Sequence, residues 1–168
     1  DRHLNGLFKI CDVAANTTSA NLFSAQMGRL FLNRRAEYNV TQQYVENFRT
    51  KVTGHDQLAG SLSGGNQQKI VIGRSLSTAP KIVILDEPTR GIDAAARGDV
   101  YTIIHQLREQ GVSVLLISSD MEEIVELADR AVTMYQGRIN AEFQKADINQ
   151  DNLMAAAFGI LEQEAVNK

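Results

Sequence analysis

The sequence has little of several residue types on which whole classes of protein depend. It contains one cysteine, Cys11, so an internal disulfide is excluded and a reducing compartment is favoured. Seventeen lysines and arginines stand against twenty aspartates and glutamates, which gives a net charge of −3. This balance argues against electrostatic binding of nucleic acid, and we predict no nucleic-acid partner.

Long apolar runs are also missing. The longest covers residues 153–161, about half of the ~20 residues that a membrane-spanning helix needs. No segment has the pattern of a secretory signal peptide. With 43% hydrophobic and 22% charged residues over 168 positions, the composition is typical of a globular protein rather than a disordered one.

The first part of the chain predicts a small helical region. Residues 16–21 are short and polar, which predicts a loop because such side chains compete for backbone hydrogen bonds. Apolar residues fall on one helical face over residues 40–52, and a second helix is predicted over 64–77. We predict a helical subdomain over residues 1–76.

The second part of the chain predicts an α/β core over residues 77–168. Apolar runs at 82–85 and 112–117 predict strands buried on both faces, joined by an amphipathic helix in a right-handed parallel crossover. A turn at Gln136 and Gly137 predicts a β-hairpin. Further helices are predicted at 121–128 and 149–158.

A glycine pair opens the helix predicted at 64–77. The N-terminus of a helix presents backbone N–H groups and the positive end of a dipole, and Gly64 and Gly65 let that backbone approach an anion closely. Ser63 can cap the helix and can also donate to a phosphate oxygen. An N-cap followed by a flexible turn explains the same residues, so this pattern alone leaves both interpretations open.

Two carboxylates, Asp86 and Glu87, follow the strand predicted at 82–85. Open α/β sheets bind their ligands at the carboxyl ends of strands. Asp86 can hold Mg²⁺ there through its water shell, and Glu87 can orient or deprotonate a water molecule. A solvated turn after a core strand is the alternative. Asp93, a little further on, is a good N-cap for the next helix.

In this order and spacing, these segments together resemble the ATP-binding-cassette (ABC) ATPases. The residues that match the family's signature motif are Leu62, Ser63, Gly64, Gly65, Asn66 and Gln67. Residues 82–87 resemble the Walker B strand with its catalytic glutamate, Glu87, and residues 91–93 resemble the D-loop with Asp93. The resemblance implies a partial P-loop NTPase fold, with a helical subdomain and an incomplete, mostly parallel sheet.

Residues 66–69 and 86–93 resemble, more narrowly, the second cassette of tandem carbohydrate importers of the ribose and autoinducer-2 type. This implies the ATP-binding subunit of an importer for a sugar or sugar-like solute, at the cytoplasmic face of the membrane. ATP and Mg²⁺ are the implied cofactors, with the metal at Asp86 and the signature motif capping ATP held by a second cassette. Permease subunits and, indirectly, a solute-binding protein are the other implied partners.

Two features of the family pattern are missing. The Walker A loop, Gly-x-x-x-x-Gly-Lys-Ser/Thr, occurs nowhere in the sequence. We therefore predict the C-terminal part of a cassette, lacking the Walker A strand, which alone binds and hydrolyses no ATP. Because its strand edges are exposed, we expect the chain alone to self-associate, to exchange a segment between copies, or to leave the region after Asp129 displaced from its parental position. Ser119 stands at the position of the switch histidine, and serine does not titrate near neutral pH. The site built on Asp86 and Glu87 is therefore expected to be degenerate.

The alternatives to an importer are a ribosome-associated ABC protein, a chromosome-maintenance ATPase and an inert or dimerising fragment. Ribosome-associated ABC proteins have a pattern similar to Asp-Glu-Pro-Thr followed by Asn-His-Leu-Asp, whereas here residues 90–93 are Arg-Gly-Ile-Asp. Chromosome-maintenance ATPases carry long coiled coils before the signature, and no sustained heptads are present. A chain that is only an inert or dimerising fragment is compatible with an importer as its parent.

Overall fold

The computed structural model describes residues 6–24, 27–28 and 31–160. Its first helices are α1 (Val13–Thr18), α2 (Arg34–Asn47) and α3 (Gly64–Leu76). They are followed by β1 (Ile82–Asp86), α4 (Ala94–Glu109), β2 (Ser113–Ile117), α5 (Met121–Leu127), β3 (Arg130–Tyr135), β4 (Arg138–Gln144) and α6 (Gln150–Ala157).

The chain divides into two compact units. The first consists of the residues up to 83 together with 88–115, and the second of 84–87 together with the residues from 116 onward. The predicted boundary between residues 76 and 77 stays a prediction. Within the described residues, no helix has the length and apolarity that crossing a bilayer requires.

The loop predicted at residues 16–21 is wrong. The end of α1 and a 3-10 turn at Ser19–Asn21 occupy this stretch. Asn16 is fully buried; its Oδ1 accepts from the N–H of Phe8 (2.8 Å) and its Nδ2 donates to the carbonyl of Phe8 (2.9 Å). The hydroxyl of Thr17 donates to a carbonyl one turn back (2.8 Å). Because these polar groups find partners within the fold, their polarity does not require a loop.

The helix predicted from Gly64 is confirmed, and it anchors the core of the first unit. Ile70 of α3 is 2% exposed and packs in a cluster with Leu7, Val13, Ala59 and Leu62. The helix before it, α2, lies earlier than the predicted range of 40–52. It begins earlier because Asn33 caps it by accepting from the N–H of a residue three positions on (3.2 Å), and it ends at Asn47 with Phe48 as its C-cap.

Strands β1 and β2 pair as predicted. The N–H of Ser113 donates to the carbonyl of Lys81 (3.0 Å), and the N–H of Glu87 donates to that of Ile117 (2.8 Å), so the strands run in the same direction. The prediction that β1 is buried on both faces is wrong, since exposure alternates along the strand and Ile84 is 64% exposed. An apolar run shows what a strand can bury, whereas burial itself requires a layer that covers each face.

The predicted hairpin is confirmed in the second unit. Strands β3 and β4 are antiparallel, in a register that runs from Arg130 opposite Gln144 to Tyr135 opposite Arg138. The connecting residues Gln136 and Gly137 both have positive φ, 48° and 78°, as a two-residue type I′ turn requires. Behind the hairpin, Ala131, Ile148 and Leu153 form a small buried cluster. Strands β2 and β3 belong to different sheets.

Candidate functional site

The predicted site residues fall into two regions, one in each unit. The signature region consists of residues 62–69 and the start of α4 from Asp93. The Glu87 region consists of residues 86–87 and 118–120.

The signature turn is anchored by two buried side chains. Leu62 is 7% exposed and belongs to the core cluster of the first unit. Gln67 is also 7% exposed, and its Nε2 donates to the carbonyl of Leu62 (3.0 Å). Ser63, between them, is exposed. Leu62 and Gln67 therefore hold the turn in place, while Ser63 faces solvent.

Ser63 occupies the N-cap position of α3 without capping it. Its backbone is extended (φ −61°, ψ 157°), and its side chain makes no hydrogen bond to the backbone of the first turn. Instead, its Oγ accepts from Nδ2 of Asn66 (3.0 Å). The expectation that Ser63 caps the helix is therefore wrong.

Gly65 is buried where α3 meets the first turn of α4. A Cβ atom added to Gly65 would collide with the Cβ of Ala96. The backbone N–H of Ala96 donates to Oδ1 of Asp93 (2.9 Å), which caps α4 as predicted. The structure thus brings the signature glycine and the D-loop aspartate to the starts of two helices in contact. Sequence reasoning missed Ala96, because an alanine in a helix carries no signal of its own.

An ion pair between a buried lysine and an exposed aspartate joins the same two helices. Nζ of Lys69 donates to Oδ2 of Asp99 (2.7 Å), and Lys69 is 4% exposed while the Asp99 side chain is 52% exposed. The same Nζ lies 3.4 Å from the carbonyl oxygen of Arg49, to which it also donates. Sequence reasoning missed this pair as well, since thirty positions separate its members.

Glu87 is held by the end of β2. Its φ of 49° lies in the left-handed region, which residues other than glycine rarely adopt. Its N–H donates to the carbonyl of Ile117 (2.8 Å), and its Oε1 accepts from the N–H of Ser119 (2.8 Å). The structure therefore brings Glu87 to Ser119, the predicted switch position. The contact is made through the backbone of Ser119 and not through its hydroxyl.

The turn that carries Ser119 is fixed by its neighbours. Oγ of Ser118 accepts from the N–H of Asp120 (3.0 Å). Oδ1 of Asp120 accepts from the N–H of Glu122 (3.0 Å), which caps α5. These two residues were not predicted as part of the site. An aspartate directly before an apolar helical pattern is the signal that could have found them.

Asp86, the predicted ligand for Mg²⁺, is exposed at the end of β1. Over the part of the chain that the structure describes, no group of three or more His, Cys, Asp or Glu side chains could hold a metal ion. Among the described residues, therefore, no site supplies several protein ligands to one metal ion. One exposed carboxylate fits Mg²⁺, which keeps several waters and takes one or two protein carboxylates beside substrate phosphates.

Comparisons with known proteins give a family, a relative and a fold. Residues 5–90 match the family model described as ABC transporter. The Xylose import ATP-binding protein XylG of Moorella thermoacetica is 38% identical over 159 residues, which are 95% of this chain and 31% of that protein. The chain thus spans less than a third of the length of this curated relative.

Solved structures show the same architecture. One ATP-binding cassette of an ABC transporter superposes with a TM-score of 0.72 at 23% identity, over 90% of this chain and 64% of that one. A nucleotide-free ATP-binding cassette from an ABC transporter gives a TM-score of 0.67 at 20% identity, over 88% and 59%. At these identities, the likeness shows the fold alone.

Proposed function

The chain belongs to the ABC transporter ATPase family, and on that premise we propose that it forms part of the ATP-binding subunit of an importer for a sugar or sugar-like solute. The observation that carries the proposal is the 38% identity, over 95% of the chain, with a protein named for xylose import. Xylose is the solute in that relative's name. Ribose and autoinducer-2 are the further candidate solutes, because residues 66–69 and 86–93 resemble importers of that type.

We propose that the two regions handle ATP at different sites. The signature region, with Ser63 exposed at the start of α3, closes over ATP held by a second cassette. In the other site, Asp86 takes Mg²⁺ and Glu87 orients a water molecule, while bound ATP supplies the phosphoanhydride bond that is hydrolysed. Ser119 gives Glu87 a backbone N–H but neither titrates nor carries charge, which makes this second site the weaker one.

The helical region is the proposed docking surface for the permease subunits. Three large apolar side chains are almost fully exposed there: Ile10 at 89%, Phe23 at 103% and Phe31 at 88%. These side chains are available there for contact with another protein. Docking on a permease would hold the subunit at the cytoplasmic face of the membrane, and a solute-binding protein would act through the permease.

The experiment that tests the function uses the full-length protein that contains this chain, reconstituted in liposomes with its permease and solute-binding protein. ATP turnover is measured with xylose, ribose, autoinducer-2 and, as a control solute, an amino acid. We expect turnover to rise with at least one of the sugar-like solutes and not with the amino acid. Turnover that responds to none of the three would contradict the proposal.

A further inference from the structure

The second glycine of the signature lies at a close approach between α3 and α4. Gly65 is buried, and the place that a side chain would take on it is already filled by the methyl group of Ala96. Backbone can come this near a methyl group only where the residue has no Cβ. The neighbour that excludes a side chain at position 65 therefore belongs to the same chain.

Ala96 is itself fixed at two points. Its N–H donates to Oδ1 of Asp93 (2.9 Å), which ties it to the D-loop, while its methyl group meets Gly65. One turn further along both helices, the ion pair between Lys69 and Asp99 (2.7 Å) repeats the connection. Positions 65 and 69 share one face of α3, and positions 96 and 99 share one face of α4, because residues three and four apart are neighbours on a helix.

We infer that Ala96 is a positioning residue for the signature region: its methyl group, rather than the nucleotide, sets the requirement for glycine at position 65. The inference rests on the proposed function for its catalytic readout. It assigns Ala96 the task of holding the signature turn at a fixed spacing from the D-loop, so that a displacement of either segment moves the other.

The test is a double-mutant cycle in the full-length protein, with Gly65→Ala, Ala96→Gly and both together. Gly65→Ala should lower ATP turnover at saturating ATP by about tenfold to a hundredfold, the scale expected when a reacting group is misplaced by about 1 Å. Removing the methyl group of Ala96 makes room for the new one. The double variant should therefore recover most of the turnover that Ala96→Gly alone retains, which is the non-additivity expected of residues in contact.

Two other glycines provide matched controls. A Cβ at Gly73, on the same helix, would lie 3.2 Å from the Cβ of Tyr44, so Gly73→Ala crowds α3 away from the signature. It should leave turnover unchanged at a temperature where the protein is folded. Gly98, on α4, has nothing within 4 Å of an added Cβ, so Gly98→Ala should leave turnover unchanged and should raise the unfolding midpoint slightly, because alanine favours the helix more than glycine does.

Rescue is the decisive outcome. Recovery of turnover in the double variant supports the inference. A double variant as slow as Gly65→Ala overturns it, because the nucleotide would then be what excludes the added methyl group. A Gly65→Ala variant with wild-type turnover also overturns it.

If the wild-type protein turns over no ATP, the proposed function fails, and the unfolding midpoints of the variants then decide the inference. Gly65→Ala should lower the midpoint, and Ala96→Gly should suppress that loss; additive changes overturn the inference.

Discussion

The signature region and the Glu87 region are held in place by different kinds of interaction. In the signature region, buried side chains fix the backbone: Leu62, Gln67 and Lys69 are 7%, 7% and 4% exposed. In the Glu87 region, the backbone fixes a side chain, since the N–H of Ser119 holds the Glu87 carboxylate while Asp86 and Ser119 are exposed. Close packing resists changes as small as one methyl group, whereas one hydrogen bond contributes about 0.5–1.5 kcal/mol.

The difference teaches which region tolerates change. On the proposed function, the signature region caps a nucleotide bound by another cassette, which needs a preformed surface such as the packing around Gly65. On the same proposal, Glu87 orients water and needs to exchange partners, which a single hydrogen bond to an N–H allows. Substitutions that add atoms should therefore be most harmful in the signature region. Substitutions that preserve hydrogen bonding should be tolerated best in the Glu87 region.

The largest expected effect is that of Gly65→Asp in the full-length protein. The new carboxylate collides with Ala96 and, on the proposed function, faces the phosphates of the bound ATP, so turnover should fall by about a hundredfold or more. Gly98→Asp is the matched control, because it adds the same charge to α4 in open space and should keep near-wild-type turnover. Equal losses in the two variants would show that the effect is not specific to the signature.

Glu87→Gln should have a smaller effect on turnover. The amide oxygen can still accept from the N–H of Ser119, so the geometry is kept while the proton-accepting carboxylate is lost. We expect a loss of about tenfold, less than the hundredfold or more that a fully equipped general base contributes. Glu87→Ala, which also removes the hydrogen bond, should be worse than Glu87→Gln. If Glu87→Gln is more damaging than Gly65→Asp, the proposed division between two sites is wrong.

Two ion pairs, one in each unit, allow the effect of burial on the free energy of unfolding to be compared. Asp99→Ala leaves the buried ammonium of Lys69 without its carboxylate and should cost about 1–3 kcal/mol. Glu142→Ala breaks a pair whose partners, Arg130 and Glu142, are 63% and 50% exposed, and should cost less than about 1 kcal/mol. Urea unfolding of the full-length variants measures both. A larger loss of stability for Glu142→Ala than for Asp99→Ala would contradict the expected difference between the pair with a buried lysine and the exposed pair.

The smallest expected effect is a pH dependence in the first unit. Burial raises the pKa of Tyr44 above its usual value, because the charged phenolate is disfavoured there. The unfolded chain then loses this proton at a lower pH than the folded one, so the stability contribution is complete below pH ~10 and is lost as pH rises further. Tyr44→Phe should make unfolding midpoints fall less above that pH. Tyr38→Phe, at a residue that is 57% exposed, is the matched control variant.

Local signals in the sequence account for the parts of the fold that could be predicted. The start of α3 and the turn at Gln136 and Gly137 follow from glycines and from the apolar pattern around them. The stretch around Asn16 could not be predicted, because its buried amide is satisfied by the backbone of Phe8, eight positions away. Its polarity indicated solvent, whereas the fold supplies the partner.

The candidate site shows the same limit. Motif spacing predicted Gly65 and Glu87 as site residues, because the residue type at each of these positions indicates its chemical role. It gave no indication that Ala96 excludes a side chain at Gly65, because that contact exists only once α3 and α4 pack. Nor did it indicate that Ser119 meets Glu87 through its backbone N–H, a group that every residue other than proline carries.

The central claim is that this chain carries residues that act on ATP but not the loop that holds it. Calorimetric titration with Mg-ATP, on the purified 168-residue chain and on the full-length protein, tests this most directly. The account predicts saturable binding to the full-length protein and no saturable binding to the chain alone. Tight, stoichiometric binding of ATP to the chain alone would contradict it.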